Sequence, residues 1–338
     1  MYDQNKSTIL YYPTIKIENE RWIRNALLYW DKIASIVPSS NYEDGFTDEI
    51  LYLQHEGLYE PISPAELTGK IELCKEFCEQ VEKKVKQRKS MFNIQKKDRM
   101  KIHESKINML HISKMPNEIL DYLMDVGIAS KNCDGPWIDM NRRESCIYMS
   151  ILAKYLAKIH GNTQIGTDSS SSFLDPFVSK NNIEEDKQLY LDVAIQYILP
   201  EPSWQMSFAD IIDFKRKNIH ASNNFKKVID EYQWQLKQCK TIDDILEGTN
   251  IFKKNLKDQL QEFEELINHR RSIKRCFRTL VPIAAETVML LNQVSPIISL
   301  MANTTIQFGI KKFCKEKEIQ IGKDNAYLLC AWREGMIQ

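Results

Sequence analysis

The chain of 338 residues balances 46 basic against 46 acidic side chains, and its apolar (43%) and charged (27%) fractions are those of ordinary globular proteins. These values exclude a fibrous or wholly disordered chain, and a net charge of zero excludes a general electrostatic attraction to nucleic acid or lipid. The length suffices for one large domain or two ordinary ones.

The first elements predicted in chain order are a strand, a helix and a second strand. Residues 8–17 are rich in β-branched and aromatic side chains, and Pro13 marks either an edge strand or a strand end. Asn19 is suited to cap the following helix, whose apolar positions recur at helical spacing. Residues 36–38 close the second strand, so the segment predicts a β-α-β unit with two parallel strands.

Helix start and stop signals predict three further helices in the first half of the chain. Ser63 and Glu66 have the spacing of a capping box, which predicts a helix that runs to about Lys89. Two more helices are predicted over residues 117–126 and 143–160, because each is followed by a glycine that suits a helix end.

The second half is predicted to begin with a loop and a strand and to continue with helices. Residues 161–187 are polar and predict a long surface loop. Apolar and polar residues then alternate over residues 189–197, which predicts a strand. Capping patterns at Ser207 and Thr241 begin helices, and the charged amphipathic stretch 251–280 predicts a long helix or a helical hairpin.

These elements together predict a helix-rich α+β or α/β fold. The β-α-β opening belongs to a small N-terminal sheet, and the C-terminal half is largely helical. We place an N-terminal α/β part at residues 1–165, a polar loop at residues 166–187, and a strand followed by a helical part at residues 188–338. The first and last parts are expected to pack as one unit.

One resemblance to a known family rests mainly on the opening. Its segments are Tyr11-Tyr12-Pro13, Leu28-Tyr29-Trp30-Asp31 and Ile36-Val37-Pro38. They resemble the start of an uncharacterised bacterial protein family whose members have a Tyr-Tyr-Pro strand and a helix that ends in Leu-Tyr-Trp-Asp. Such families often lie near mobile genes for defence against phage, so the resemblance implies a role of that kind. It transfers no catalytic residue to this chain.

Cysteine usage and the first residues predict a cytoplasmic protein with neither metal nor cofactor. Eight cysteines without clustered spacing fit free thiols in a reducing compartment, and no apolar signal core begins the chain. Cys74 and Cys78 lie four apart, but no further pair of zinc ligands accompanies them. The glycine-rich loops that cradle nucleotide phosphates are missing from the sequence.

Clustered basic residues give the strongest functional signal. Between Lys83 and Lys106 there are ten lysines and arginines against only Asp98 and Glu104. Such a cluster favours phosphate binding, and an interleaved aromatic side chain can stack on a base. We therefore predict a binding protein that contacts nucleic acid or a protein partner. The candidate nucleic-acid contacts are Lys86, Arg88, Lys89, Phe92, Lys96, Lys97, Arg99, Lys101, Arg271 and Arg275.

Two alternatives stay open at this point. A metal-dependent nucleic-acid hydrolase would use Asp192 with Glu185 and Lys187, since such sites combine carboxylates with a nearby lysine. A membrane-associating effector would use residues 280–310, the most apolar stretch of the chain. Polar side chains interrupt that stretch, so a spanning helix is not expected. The oligomeric state and whether the chain is an enzyme are left open.

Overall fold

The computed structural model describes residues 6–39, 46–91, 107–132, 135–168, 187–188, 191–192, 195–196, 198–239, 241–267 and 326–337. The chain divides into two compact units. Unit 1 comprises Met1–Glu18 and Trp30–Asp168, and unit 2 comprises Asn19–Tyr29 and Ser169–Gln338. The helix between the first two strands thus belongs to unit 2, although both strands belong to unit 1.

Seven strands and ten α-helices are described with defined bounds. The strands are β1 (Thr8–Tyr11), β2 (Lys32–Ile36), β3 (Tyr59–Ile62), β4 (Ile107–His111), β5 (Ala129–Lys131), β6 (Trp137–Asn141) and β7 (Thr163–Gly166). The helices are α1 (Glu20–Tyr29), α2 (Asp48–His55), α3 (Ala65–Thr68), α4 (Ile71–Met91), α5 (Asn117–Asp125), α6 (Arg142–His160), α7 (Phe208–Lys217), α8 (Ile219–Leu236), α9 (Ile242–Ile267) and α10 (Ala326–Arg333). The chain is therefore helix-rich, as predicted.

A four-stranded parallel sheet organises unit 1. Its strand order is β3-β2-β1-β7, and β1 pairs in parallel with both β2 and β7. The predicted parallel pairing of the first two strands is confirmed. The first strand ends at Tyr11 and not at Ile17, because Pro13 has no N–H to continue a ladder.

Strand β7 corrects the prediction of a continuous loop over residues 161–187. Thr163–Gly166 pairs with Thr8–Tyr11, so four residues of that segment belong to the parallel sheet. The strand is short, and two of its four residues are only half-buried. The sequence therefore lacks the alternation of apolar and polar residues that would predict a strand here. Its stability comes from pairing with β1, which lies near the other end of unit 1 in the sequence.

A second, antiparallel sheet in unit 1 was not predicted. Its order is β4-β6-β5, and β6 pairs with both neighbours in antiparallel register. The buried side chains alternate along the strands, as expected for a sheet with one covered face. They include Leu110, Ala129, Ile138 and Met140.

Helix α2 (Asp48–His55) was not predicted, and the other helices of unit 1 follow the predicted signals with one correction. The helix predicted from Ser63 to about Lys89 is two helices, α3 and α4, which are separated at Gly69, a residue of low helix propensity. The Ser63 hydroxyl accepts a hydrogen bond from the amide of Ala65, although Pro64 and not Ser63 occupies the cap position of α3. The predicted capping box with Glu66 does not form, because the cap position of α3 is Pro64. The Glu66 carboxylate lies 2.9 Å from Nε2 of His160 at the end of α6.

Unit 2 is built on an aromatic core. The rings of Tyr29, Phe214 and Phe225 surround the ring of Tyr327, with centroid distances of 6.5, 5.4 and 6.1 Å. The predicted capping box at Ser207 is present at the start of α7, with Ser207 and Asp210 bonded to each other's backbone amides. The aromatic contacts join α1, α7, α8 and α10 into one apolar cluster.

The predicted strand over residues 189–197 is wrong. The described residues 187–188, 191–192, 195–196 and 198 are helical. Leu191 and Ile195 are buried four residues apart, which is the spacing of one helix face. Asp192 and Gln196 are buried as well. Because these polar residues lie on a covered helix surface, the sequence shows the alternation of apolar and polar residues that is typical of a strand.

No helix within the described ranges combines the length and the apolar character that a bilayer crossing requires. Residues 280–310, the segment of the membrane-effector alternative, lie outside the described residues, as do residues 268–280 of the predicted long helix. The described part of that helix, α9, extends from Ile242 to Ile267.

Candidate functional site

The carboxyl edge of the parallel sheet is the best-formed candidate site. In open α/β sheets, ligands bind outside the carboxyl ends of the strands, at the point where the strand order reverses. Here the order runs from β1 outward to β3 on one side and then returns to β7 on the other. The reversal therefore lies between β1 and β7, whose final residues Tyr11 and Gly166 are in register.

Three polar side chains from unit 1 meet at this reversal. The Tyr11 hydroxyl donates a hydrogen bond to Oδ1 of Asp168 over 2.9 Å. The Thr14 hydroxyl lies 3.4 Å from the Tyr11 oxygen and also donates to the carbonyl of Lys16 over 2.6 Å. The loops after β1 and β7 thus supply a hydroxyl and a carboxylate to the same crevice.

The Tyr11 hydroxyl keeps its proton at neutral pH. Only 3% of the residue is exposed, and this burial is the main reason that its pKa is raised well above the usual value. The negative charges of Asp168 and Glu18 raise the pKa further. Tyr11 consequently acts as a hydrogen-bond donor to Asp168 and fixes the orientation of that carboxylate.

A second hydroxyl pair lies one strand further along the sheet. The Ser35 and Tyr59 oxygens are 2.6 Å apart, and burial raises the pKa of Tyr59. Ser35 is in register with Tyr11 on β1, so Tyr11 and Ser35 belong to the same sheet face. The Ser35 hydroxyl also lies 3.3 Å from the carbonyl oxygen of Ile15, which ties β2 to the loop after β1.

Sequence reasoning missed Asp168 and treated Tyr11 only as part of an opening motif. The two residues are 157 positions apart, and no local pattern joins them. The one available signal was the placement of Tyr11 at the end of a strand, where side chains of parallel sheets line ligand sites. That signal was incomplete, because the partner strand β7 lay within a predicted loop.

The predicted nucleic-acid contacts fall mainly outside the described residues. Lys86, Arg88 and Lys89 lie in the last turns of α4. Lys86 is exposed and donates to Glu82 over 2.8 Å, and this hydrogen bond is the main reason that its pKa is raised. The residues outside the described ranges are Phe92, Lys96, Lys97, Arg99, Lys101, Arg271 and Arg275.

The predicted hydrolase residues have a structural explanation in unit 2. Asp192 is 2% exposed, and its Oδ1 accepts hydrogen bonds from the amides of Gln188 (2.6 Å) and Gln233 (3.3 Å). Lys187 is buried on the same helical segment, whereas Glu185 lies outside the described residues. Among the residues that the structure describes, no three histidine, cysteine or acidic side chains come together as metal ligands.

We expect the replacement of Asp192 by leucine to lower the free energy of unfolding by about 2–3 kcal/mol, because two side-chain amides are deprived of their acceptor. Urea unfolding followed by circular dichroism measures this change. Asp213→Leu, at an exposed carboxylate on α7, is the matched control and should shift stability by less than about 0.5 kcal/mol. Equal stability of the Asp192 variant and wild type would contradict a structural role.

Comparison of the chain with protein-family models, with curated proteins and with solved structures gives no match in any of the three. The resemblance of the opening to an uncharacterised bacterial family therefore stays a prediction.

Proposed function

We propose that the protein is a bacterial cytoplasmic component of antiphage defence and that it binds nucleic acid through the basic segment, residues 83–106. The charge of this segment, ten basic residues against two acidic ones, supports the nucleic-acid part of the proposal. Neutralisation of phosphates by such residues releases condensed counterions, which gives sequence-independent and salt-dependent binding. Phe92 supplies an aromatic ring of the kind that stacks on an unpaired base. The defence role rests on the resemblance of the opening segments to the uncharacterised bacterial family.

Helix α4 provides the start of the basic segment. It continues to Met91, so Arg88 and Lys89 extend a helix whose preceding turn exposes Lys83 and Lys86. Because Glu82 already pairs with Lys86, that lysine is a weaker phosphate ligand than an unpaired one. We therefore assign the main phosphate contacts to the lysines and arginine of residues 96–101, where the only acidic residue is Asp98.

Simultaneous substitution of Lys96, Lys97, Arg99 and Lys101 by glutamine is expected to weaken binding of labelled DNA and RNA. The slope of log affinity against log salt should become shallower by about one for each phosphate contact that the substitutions remove, up to about four. Fluorescence anisotropy titrations across a salt series measure both quantities.

The matched control removes the same charge from unit 2. Lys217, Lys227, Lys237 and Lys254 are exposed on or beside described helices, and their replacement by glutamine changes net charge equally. This control should bind with nearly the wild-type salt slope. An equal reduction of the slope in both variants would indicate a general charge effect and would contradict the assignment to the basic segment.

The two alternative functions receive less support from the described residues. A hydrolase centred on Asp192 would need that carboxylate to be accessible to a metal and substrate, but side-chain amides of unit 2 hold it in a buried position. The membrane alternative depends on residues 280–310, which lie outside the described ranges. A protein partner is the main alternative to nucleic acid as the ligand of the basic segment.

A further inference from the structure

We propose that the crevice between the carboxyl ends of β1 and β7 binds a ribose-containing ligand, with the Asp168 carboxylate accepting a hydrogen bond from the ribose 2′-hydroxyl. Tyr11 is the positioning residue for that carboxylate, and Thr14 supplies a second oxygen at the rim. The site shares no residue with the basic segment, so nucleic-acid binding and ribose binding can succeed or fail separately in the tests below.

The place of the crevice in the fold is the first reason to expect a ligand there. The strand order reverses between β1 and β7, and crevices at such reversals are where open α/β sheets hold their ligands. Gly166, the last residue of β7, stands in register with Tyr11, the last residue of β1, so both strands end at the same level of the sheet. The polar groups from both strand ends converge at this place.

The hydrogen-bonding capacity of Asp168 is the second reason. Its Oδ1 accepts from Tyr11, and no other hydrogen bond to this carboxylate is found within the described part of the chain. A carboxylate accepts up to about four hydrogen bonds, so Asp168 retains acceptor capacity for a ligand that brings donors. Thr14, which is exposed and donates to the Lys16 carbonyl, keeps lone pairs for a second donor. A vicinal diol presents two such donors.

The groups around the crevice favour a neutral sugar over a phosphate. Pro13 follows β1 without an N–H, and the loop lacks the glycines that let backbone amides surround a phosphate. Asp168 and Glu18 both carry negative charge, and Lys16, whose Nζ lies 3.3 Å from the Glu18 carboxylate, is already paired. Carboxylates at the ends of strands bind ribose hydroxyls in dinucleotide-binding folds, so the chemistry has a physical precedent.

Isothermal titration calorimetry of the full chain with free ribose, the four common ribonucleosides and their 2′-deoxy counterparts tests the proposal. We expect at least one ribose compound to bind at millimolar concentration or below and its 2′-deoxy form to bind at least about tenfold more weakly. Binding of free ribose would assign the site to the sugar alone, and binding of nucleosides only would add a contact to the base. No heat with any ribose compound, or equal affinity for the deoxy forms, would overturn the proposal.

Variants at Asp168 and Tyr11 test whether the ligand binds between the carboxyl ends of β1 and β7. Asp168→Asn keeps an acceptor for Tyr11 and should weaken binding about tenfold with little change in thermal unfolding. Glu18→Gln, at an exposed residue of the same loop, is the control and should bind like wild type. Tyr11→Phe should reduce the discrimination between ribose and deoxyribose forms, a readout that a purely structural role would not change. Wild-type affinity in Asp168→Asn would overturn the assignment. If the variants do not fold, the proposal is decided by the affinities of the wild-type protein for the ribose compounds and their 2′-deoxy counterparts.

Discussion

Replacement of Tyr327 by alanine is expected to lower the free energy of unfolding by about 4 kcal/mol, the largest decrease that we predict for a single substitution. The side chain is fully buried at 0% exposure, and it is surrounded by the rings of Tyr29, Phe214 and Phe225. Its hydroxyl donates to the carbonyl of Leu28 over 2.6 Å. Truncation removes the ring from the core of unit 2 and leaves a cavity beside the Leu28 carbonyl.

Two control variants separate the contributions at Tyr327. Tyr327→Phe keeps the ring and removes only the hydrogen bond to Leu28, so the expected cost is about 1–2 kcal/mol. Tyr52→Ala removes a tyrosine that is 40% exposed and should cost far less. Urea unfolding followed by intrinsic fluorescence measures all three. A decrease below about 1 kcal/mol for Tyr327→Ala would contradict the central place of this ring.

Replacement of Lys114 by methionine is expected to stabilise the protein at neutral pH by about 4 kcal/mol. Lys114 is 2% exposed, and burial lowers its pKa from 10.5 to about 7. Between these two values the unfolded chain binds a proton that the folded protein does not bind. Wild-type stability therefore decreases as the pH falls from about 10.5 to about 7, and below that range this group causes no further change.

The methionine variant removes this contribution to the pH dependence. The Tyr148 hydroxyl donates to the backbone oxygen of Lys114, so that hydrogen bond persists in the variant. The difference in stability between variant and wild type should shrink by about 1.4 kcal/mol per pH unit between about pH 8 and pH 9.5. Lys75→Met, at an exposed lysine of α4, should show no such trend. A constant difference across that range would contradict a depressed pKa of Lys114.

Local signals in the sequence were sufficient for most helices. The Asn19 side chain accepts from the amide of Trp22, and Gly127 has the positive φ of 75° that a helix end at this place requires. Ser207 and Thr241 cap their helices as predicted, with hydroxyl-to-amide distances of 3.1 Å in both cases. These interactions extend over three or four residues, so the residues that decide them are neighbours in the sequence.

Features that depend on distant residues were not predicted. Strand β7 is stabilised by pairing with β1, and the antiparallel sheet of β4, β5 and β6 likewise needs partners from separate segments of the chain. The buried Asp192 carboxylate accepts hydrogen bonds from Gln188 and from Gln233 on α8, and the contact with Gln233 has no signal in the sequence around Asp192. Without that partner, the alternation over residues 189–197 predicted a strand, whereas the described residues of this segment are helical.

The candidate site illustrates the same limit. The sequence indicated that Tyr11 lies near a strand end. The contribution of Asp168 depends on the pairing of β7 with β1, which the sequence did not predict. The strand order, and with it the reversal that marks the crevice, is a property of the whole sheet and not of any segment. The basic segment is the opposite case, because its charge is evident from composition alone.

Nucleic-acid binding is tested most directly by titration of labelled single-stranded DNA, double-stranded DNA and RNA with the wild-type protein across a salt series. We expect measurable binding at low salt and a linear decrease of log affinity with log salt, with a slope of about −3 or steeper. Protein partners would become the leading candidates for the ligand of the basic segment if none of the three nucleic acids bound. The absence of binding to all three at low salt would contradict the proposed function and the hydrolase alternative together.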